Sequence, residues 1–392
     1  MTIGVFFGSR SPEHDVSIIT AQFIIAGLKS AGYDVMPVYI GKNGQWYVGP
    51  QLGDLKIFQT EKDLSHFNDY VLDLAESKRK IVFKRKSLFS KKITIDLAFP
   101  AFHGLNGEDG TFQGLFELLD MPYVGCDVAS SAIAMDKALT KQFYVGNNIE
   151  TAPFISFTAD DWNKNEQGLM KDAQEKLTWP IFVKPARLGS SIGITRVSDE
   201  NELREAINVA FHYDDKVVVE EGIKNLADLT CAVLGGNNPK ASLIQESRFD
   251  ADFFNYEEKY LNEGGTQLGE AKNKLVIPAE IDQGDAAIIK ELSLKIYKLL
   301  GCWGTARIDY LYDRQNRKIY ANEINPLPGT LYHHLWKASG VEFKELLKEL
   351  IDLALERKKE KGKLLSTFNS SILKKLNLAN KLQLKETKEP QE

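Results

Sequence analysis

Four side chains in two short, strand-like segments have the types and spacing to bind a metal ion and a phosphate group. Arg307 and Asp309 flank Ile308 in one segment. Glu323 and Asn325 are spaced in the same way in the other, beyond a polar turn. Because side chains alternate between the faces of a strand, a hairpin would gather all four on one patch. Carboxylate and amide oxygens hold Mg²⁺ beside phosphates, and a guanidinium faces a phosphate or an oxyanion. The alternative interpretation is a surface salt bridge.

A second candidate site is a loop rich in glycine and serine that follows an apolar strand. Lys184 ends the strand, and Gly189, Ser190, Ser191 and Gly193 follow it. Glycines let the backbone approach phosphate oxygens, successive N–H groups form an anion nest, and a lysine adds a point charge. The loop is not a Walker A motif, because no Gly-Lys-Ser/Thr follows the glycines. An ordinary exposed turn is the alternative interpretation.

Several other residues are weak signals when each is taken alone. Lys137 stands at the start of a predicted helix, and Glu220 and Glu221 end an apolar strand. A lysine there could reach a phosphate, and a strand-end carboxylate could accept hydrogen bonds from adenine or ribose. Solvent-facing charges are nevertheless commoner at such places. The loops 8–17 and 103–110 also follow buried strands, and binding groups concentrate in loops of that kind.

Alternating strands and helices must position the first group of these residues. Apolar runs predict strands, and segments with helical periodicity lie between them. This alternation predicts a parallel α/β sheet, in which ligands bind at the carboxyl ends of the strands. The loops 8–13 and 103–110 would lie at that edge. The predicted strands are 3–7, 34–40 and 95–99, and the predicted helices are 16–31 and 111–119.

The rest of the chain is predicted to form two further units and a tail. The polar stretch 158–178 is expected to be a surface excursion, and the charged C-terminal segment is expected to dock as far as about residue 373. The other predicted elements are a helix at 135–146 and strands at 179–184, 217–220 and 230–234, besides the hairpin. The predicted domains are an N-terminal α/β domain at 1–125, a central subdomain at 126–215, a C-terminal subdomain carrying the metal site at 216–355, and a terminal segment at 356–392.

The composition argues against several classes of protein. The 392 residues carry a net charge of −5, with a pI near 5.8, which provides no basic footprint for nucleic acid. The apolar runs are short, so no membrane span is expected, and the N-terminus is typical of a first strand rather than a signal peptide. Three dispersed cysteines suit neither a disulfide framework nor a zinc site. We therefore expect a cytoplasmic protein.

Taken in order, seven segments of the chain resemble the D-alanine:D-alanine ligases of the ATP-grasp superfamily. The resemblance spans about residues 3–373. It implies an ATP-grasp fold, preceded by an N-terminal parallel-sheet domain, that is α/β overall and α+β in its C-terminal part. The matching segments are 8–17, 103–114, 135–137, 184–193, 257–260, 307–309 and 323–329.

The resemblance implies that the protein uses ATP and two Mg²⁺ ions, with Mn²⁺ as a possible substitute, and that the metals bridge the β- and γ-phosphates. The serine loop would close over the γ-phosphate. Asp228 stands where the family commonly has a ribose-binding glutamate, so its reach is shorter. The implied ATP-binding residues are Lys137, Lys184, Ser190, Ser191, Glu220, Glu221 and Asp228, and the implied metal ligands are Asp309, Glu323 and Asn325.

The resemblance also implies a site for the first D-alanine. Glu13 would pair with its ammonium group, with His103 nearby. Arg307 and the backbone N–H of Gly329 would hold the oxyanion of the tetrahedral intermediate. The family's hydrogen-bonded triad would consist of Glu13, Ser190 and Tyr260.

The second substrate is implied less directly. Lys259 would help to hold its carboxylate from a lid at 253–268, and the Lys259-Tyr260 pair favours an amine as the nucleophile. Counting from Asn325, however, His334 takes the place of the family's carboxylate-binding serine, and Leu335 follows it. His334 could donate to the carboxylate, block the pocket or select a different second substrate.

The implied activity is the ATP-dependent joining of two D-alanine molecules through an acyl phosphate, for peptidoglycan precursor synthesis. The resemblance also implies a homodimer that acts on small molecules. Two alternatives stay open, namely a ligase for another second amino or hydroxy acid and a non-catalytic nucleotide-binding homologue. A dinucleotide oxidoreductase is rejected, because the loop after the first strand lacks the required glycine spacing.

Overall fold

The structure, a computed structural model, describes residues 1–60, 64, 67, 69–86, 91–248 and 275–372. In chain order the strands are β1 (Thr2–Gly8), β2 (Asp34–Ile40), β3 (Trp46–Val48), β4 (Tyr70–Leu72), β5 (Ile81–Arg85), β6 (Lys92–Ile95), β7 (Leu97–Pro100), β8 (Phe154–Thr158), β9 (Ile181–Pro185), β10 (Thr195–Val197), β11 (Lys216–Glu221), β12 (Leu226–Gly235), β13 (Lys240–Ser247), β14 (Leu275–Val276), β15 (Gly304–Asp313) and β16 (Lys318–Asn325).

The helices alternate with these strands in the N-terminal and central parts of the chain. They are α1 (His14–Ser30), α2 (Lys56–Gln59), α3 (Thr111–Leu118), α4 (Val128–Met135), α5 (Lys137–Gly146), α6 (Ala159–Lys176), α7 (Glu200–Ala210), α8 (Gln283–Leu299), α9 (His333–Ala338) and α10 (Phe343–Lys361). In the described ranges, none of them combines the length and apolar character that a membrane crossing requires.

The N-terminal sheet confirms the predicted parallel arrangement. Its strand order is β3-β2-β1-β7; β1 runs parallel to β2 and β7, and β3 adds an antiparallel edge. Both faces of β1 are buried, because Phe7 packs into one core cluster and Phe6 into another. That burial is typical of parallel sheets covered on both sides. The loops after β1 and β7 therefore emerge side by side.

The predicted strand at 95–99 is wrong in its bounds, because two strands meet there. The chain changes sheets at Asp96: β6 pairs with β5 in a three-stranded sheet, and β7 pairs with β1. Asp96 stays at the sheet edge, where its carboxylate accepts a hydrogen bond from the backbone N–H of Thr2 at 2.8 Å. An apolar run on both sides of one polar residue does not reveal such a change of partner.

The central part contains an antiparallel sheet of order β10-β9-β11-β8, and two predictions are refined here. The predicted helix at 135–146 is confirmed as α5, but it begins two residues later, because the Asp136 side chain caps it by accepting from two backbone N–H groups at 3.0 and 3.1 Å. The stretch predicted as a surface excursion does lie on the surface, and most of it is helix α6. It buries only Trp162, Met170 and Ala173, and so few apolar residues in a polar stretch produce no clear helical periodicity in the sequence.

The C-terminal sheet confirms the predicted hairpin. Its order is β14-β13-β12-β15-β16, with every neighbouring pair antiparallel. In the β15–β16 register, Arg307 lies opposite Asn325 and Asp309 lies opposite Glu323. The four residues of the predicted patch are therefore cross-strand neighbours. A register shift after Asp309 ends this regular pairing.

Helix α10 connects the C-terminal part to the N-terminal domain. Its apolar face packs with α1 in one core cluster, and a side chain at Gly27 would come within 2.4 Å of the Phe343 ring. The helix continues past the predicted boundary at 355, and the buried Arg357 donates to the carbonyl oxygens of Tyr123 and Gly125. Docking as far as residue 373 is wrong, because residues 362–372 are exposed. The other predicted domain boundaries stay predictions.

Candidate active site

The loops after β1 and β7 bring Glu13 and His103 together, as expected. Glu13 is buried, and the ring of His103 contacts Thr20 through Nε2 at 2.9 Å. Burial and the nearby Arg307 guanidinium lower the pKa of His103 to about 3, so the imidazole is neutral. Glu108 lies 3.6 Å from its Nδ1. Burial, together with the charge of Glu13, raises the pKa of Glu108 well above the usual range.

The glycine- and serine-containing loop closes over Glu13. The hydroxyl of Ser190 donates a hydrogen bond to Glu13 Oε1, which is half of the expected triad. A side chain at Gly189 would come within 2.7 Å of Glu13 Oε2, and one at Gly104 would come equally close. Glycine at these two places therefore permits the carboxylate to be enclosed. Ser190 and Ser191 both have positive φ angles, so the loop holds a backbone conformation that is uncommon for serine.

The hairpin forms a charged patch in which the guanidinium balances the carboxylates. Arg307 donates to Asp309 through Nε and through Nη2, with the shortest distance 2.6 Å, and its Nη2 lies 3.6 Å from Glu323. Thr230 on the neighbouring strand donates to Asp309 at 2.9 Å. Burial raises the pKa of Asp309 although Arg307 opposes that shift. Arg307 and Asp309 are thus buried and hydrogen-bonded, whereas Glu323 and Asn325 are partly exposed.

This donor set fits a hard divalent cation. Within the described part of the chain, no group of three or more His, Cys, Asp or Glu side chains is placed to hold a metal. The candidate set is instead Asp309, Glu323 and the amide of Asn325, which share one face of the hairpin. Mg²⁺ is commonly held by one or two carboxylates, with substrate phosphates and water completing its coordination. A mixed set of this size suits such a shared site.

Two lysines reach the same region from other elements. Lys137, the first residue of α5, donates to the carbonyl oxygen of Leu188 at 2.5 Å, and its Nζ lies 3.8 Å from Glu323. Lys184 on β9 donates to Glu220 on β11. The position of Lys137 depends on the Asp136 cap that separates α5 from the preceding helix. Both ammonium groups lie where they could meet phosphate oxygens.

Two adjoining cavities collect most of the predicted residues. The larger has a volume of about 1000 Å³ and the smaller about 50 Å³. Lys137, Ser190 and Glu323 line both of them. The larger cavity also contains the predicted residues Lys184, Ser191, Glu220, Glu221, Asp228 and Asp309. The smaller also contains the predicted residues Glu13, His103, Arg307, Asn325 and Gly329.

Among the described residues, two predicted ones, His334 and Leu335, are not brought to these cavities. Lys259 and Tyr260, like the rest of the predicted lid at 253–268, lie outside the described residues. Leu335 is buried in the core, and His334 Nε2 makes a 2.6 Å hydrogen bond with Gln245 Oε1. Their expected contact with a second carboxylate therefore has no support from this placement.

Sequence reasoning missed several residues of the site. Glu108 lines the smaller cavity, and Thr230 and Tyr332 line the larger. The ring of Tyr332 lies 5.0 Å from the Arg307 guanidinium carbon. Glu108 stands in a loop that the sequence already singled out, so its position was a usable signal. No sequence signal marked Thr230 and Tyr332, because only the packing of separate segments brings them to the hairpin.

The burial of His334 predicts a pH-dependent stability. Burial and the neighbouring His333 lower the pKa of His334 to about 4, below its unfolded value. Neutral His334 makes its full contribution to the free energy of unfolding above the unfolded pKa of about 6.5. This contribution is lost as the pH falls toward 4, because the unfolded chain binds the proton more readily than the folded protein does. Replacing His334 with Gln, which can still donate to Gln245, should reduce the loss of unfolding free energy between pH 7 and 5 by about 2 kcal/mol.

Urea unfolding at the two pH values measures this effect. The exposed His212 provides a matched control, and a His212→Gln variant should lose as much stability as the parent. Equal losses of unfolding free energy in the parent and in His334→Gln would contradict a lowered pKa for His334. His103 is common to all three proteins, so its contribution cancels in the comparison.

The chain matches two family models that together cover most of its length. Residues 2–126 match the D-ala D-ala ligase N-terminus, and residues 143–352 match the D-ala D-ala ligase C-terminus. The D-alanine–D-alanine ligase of Thermosipho melanesiensis is 40% identical over 374 residues, 95% of this chain and 98% of that protein. The Staphylococcus epidermidis ligase is 37% identical over 92% of this chain and 97% of that protein.

Solved structures agree with this relationship. The D-alanine-D-alanine ligase of Coxiella burnetii superposes with a TM-score of 0.76 at 30% identity, covering 93% of this chain and 96% of that one. The VanG D-Ala:D-Ser ligase of Enterococcus faecalis gives a TM-score of 0.75 at 34% identity, covering 90% and 99%. The expected ATP-grasp fold is thereby confirmed. The chain belongs to the D-alanine–D-alanine ligase family, whose members are enzymes that use ATP and a divalent metal ion.

Proposed function

We propose that this protein joins two D-alanine molecules to D-alanyl-D-alanine for peptidoglycan precursor synthesis, with hydrolysis of ATP to ADP and phosphate. One observation carries the proposal. A nucleotide-sized cavity and a much smaller one adjoin each other, and Lys137, Ser190 and Glu323 belong to both. Such an arrangement suits the transfer of a phosphoryl group from a large substrate to a small one.

The chemistry accounts for the residue types. A carboxylate is a poor electrophile until one of its oxygens becomes a leaving group. Transfer of the γ-phosphoryl group to the first D-alanine forms an acyl phosphate; the amine of the second D-alanine then attacks the carbonyl carbon, loses a proton, and phosphate departs. Neither step needs a protein nucleophile, so charge balance and positioning are the main requirements.

The side chains of the larger cavity take the nucleotide in this proposal. Lys137, Lys184 and the serine loop contact the phosphates, while Glu221 and Asp228 hold the adenosine. Glu220 acts through Lys184, because its carboxylate is buried against that ammonium group. Asp309, Glu323 and Asn325 would hold two Mg²⁺ ions, which Mn²⁺ could replace. A bound divalent cation neutralises charge on the transferring phosphates.

The side chains of the smaller cavity take the first D-alanine. Glu13, held by Ser190 and enclosed by Gly189 and Gly104, accepts from the ammonium group. Arg307 and the backbone N–H of Gly329 stabilise the oxyanion. Enclosure by glycines leaves little room beside the carboxylate, which favours a small amino acid. Lys259 and Tyr260 are proposed to complete the site on the family resemblance alone.

A ligase that joins D-alanine to a different second substrate is the second candidate. The similarity to a D-Ala:D-Ser ligase, at 34% identity, favours keeping it. The placement of His334 against Gln245 does not separate the two candidates, because that histidine lies outside the described lining of both cavities.

A substrate panel tests both candidates. With ATP and Mg²⁺, the protein should release phosphate only when a D-amino acid is present, and mass spectrometry should detect D-alanyl-D-alanine. L-Alanine should give neither product. A mixed dipeptide or depsipeptide formed in preference from equimolar D-alanine and a competitor would support the second candidate. An absence of phosphate release with every substrate would leave only a non-catalytic nucleotide binder.

The proposal also covers the oligomeric state of the protein and the cellular compartment in which it works. We infer a homodimer from the family resemblance, and analytical ultracentrifugation tests it. Cys126, Cys231 and Cys302 are free thiols in the core, which suits a reducing compartment such as the cytoplasm. Fractionation of the cells that make the protein tests that inference.

A further inference from the structure

A largely buried cluster of three charged side chains adjoins the larger cavity, which Lys184 and Glu220 help to line. Glu220 on β11 is 1% exposed, and it pairs with Lys184 through Oε1 and with Lys141 through Oε2. In the sheet register Glu220 lies opposite Phe182 and Val218 lies opposite Lys184, so Glu220 and Lys184 are diagonal neighbours on one face. Lys141 reaches the same carboxylate from helix α5, with its Nζ 2.8 Å from Oε2.

Lys141 has a different environment from the other two lysines. Lys137 and Lys184 line the cavity, whereas Lys141 is absent from its described lining and its side chain is only 2% exposed. Its Nζ also donates to the hydroxyl of Thr151 at 3.0 Å. Its ammonium group is therefore engaged inside the protein and does not belong to the described lining of the cavity. A buried ammonium is costly to desolvate and is retained where it balances another charge.

The cluster has an excess of positive charge. Burial alone would raise the pKa of Glu220, but Lys141 and Lys184 lower it to about 2, so the carboxylate is ionised. Burial lowers the pKa of Lys141, and contact with Glu220 opposes that shift. One carboxylate between two ammonium groups leaves a net charge of +1 facing the cavity through Lys184. Without Lys141, the remaining pair would be neutral.

We propose that Lys141 is a positioning residue that neutralises Glu220, so that Lys184 presents an uncompensated positive charge to the phosphates of the nucleotide. The inference rests on the proposed phosphate-binding role of Lys184. Glu220 fixes the direction of the Lys184 side chain, and Lys141 prevents that carboxylate from cancelling its charge. The phosphate-binding lysine thus depends on a second lysine that never touches the ligand.

Replacing Lys141 with Met tests the proposal through nucleotide binding. Titration calorimetry with ADP and Mg²⁺ should show affinity about tenfold weaker than that of the parent, because a unit charge in a poorly screened region is lost. The KM for ATP should rise with it, while the KM for D-alanine changes little. Lys176→Met is the matched control, because it removes one positive charge from the exposed surface of α6 and should leave the ADP affinity unchanged. Unchanged ADP affinity in Lys141→Met would overturn the proposal.

A double variant separates charge balance from packing. Lys141→Met combined with Glu220→Gln removes both buried charges and returns the cluster to +1, so it should recover most of the lost ADP affinity. It should also fold at least as well as Lys141→Met, because it removes the buried carboxylate that has lost one of its two ammonium partners. A folded double variant that binds ADP no better than Lys141→Met, or as weakly as Lys184→Met, contradicts the inference.

Lys184→Met distinguishes this inference from the proposed function. If Lys184→Met leaves ADP affinity unchanged, the phosphate-binding role itself is wrong. If Lys184→Met weakens ADP binding and the Lys141 variants do not, only the role of Lys141 fails. Thermal unfolding of every variant, measured in parallel, identifies any loss of affinity that comes from unfolding.

Discussion

Replacing Asp309 with Asn is expected to lower kcat by at least about 10³-fold, because the metal site proposed for Asp309, Glu323 and Asn325 would lose one of its two charged ligands. The substitution preserves the shape of the side chain, so Thr230 can still donate to it. Arg307 would lose its principal carboxylate partner and shift its charge toward Glu323. The effect therefore falls on the reacting groups more than on the fold.

Phosphate release at saturating ATP and D-alanine measures the change in kcat. ADP binding, measured by calorimetry, should stay within about tenfold of the parent, because the lysines and the residues proposed to hold the adenosine are unchanged. The matched control is Asp172→Asn on the exposed face of α6, where turnover should not change. Near-parental turnover in Asp309→Asn would refute the metal-ligand assignment. Loss of ADP binding as severe as the loss of kcat would indicate a general defect.

The Arg307→Lys substitution is expected to lower kcat by about 10²–10³-fold while the KM for ATP changes much less. The structure assigns Arg307 two tasks, namely balancing Asp309 and Glu323 and facing the smaller cavity. A lysine keeps the charge but lacks the planar fork of donors, so it cannot serve a carboxylate and a developing oxyanion together.

Steady-state kinetics and thermal unfolding together separate an effect of Arg307→Lys on catalysis from an effect on stability. Retained charge should preserve folding, so the thermal midpoint should stay close to that of the parent, whereas kcat should fall. Arg204→Lys is the matched control, because Arg204 pairs with Glu166 on the protein surface. Parental kcat in Arg307→Lys would show that the guanidinium geometry is not needed. A fall in stability as large as that in activity would point to a structural role.

Local patterns accounted for the hairpin and for the parallel start of the fold. Alternating side chains predicted that Arg307 and Asp309 share a face, and the cross-strand register confirms that Asn325 and Glu323 lie opposite them. The prediction succeeded because strand period and turn chemistry are local properties of the chain. Helix α6 was not predicted, because its few buried residues leave almost no apolar periodicity in the local sequence.

Residue counting along the chain was less informative about the second substrate. Counting from Asn325 pointed to His334, yet the turn at Gly329–Tyr332 has positive φ angles at Thr330, Leu331 and Tyr332. That backbone directs His334 toward Gln245, away from the described lining of the cavities. Side-chain direction after an irregular turn cannot be obtained from spacing alone.

The sequence by itself determined the hairpin patch, the serine loop and the chemistry that those residue types allow, because each depends on residues close together in the chain. The order of seven such short segments determined the family. Only the tertiary structure decided which charges meet. The Glu13–Ser190 bond joins residues that are 177 positions apart, and Lys141 meets Glu220 through the packing of a helix against a sheet. Charge interactions depend on distance and burial, and neither can be obtained from residue order before the chain is folded.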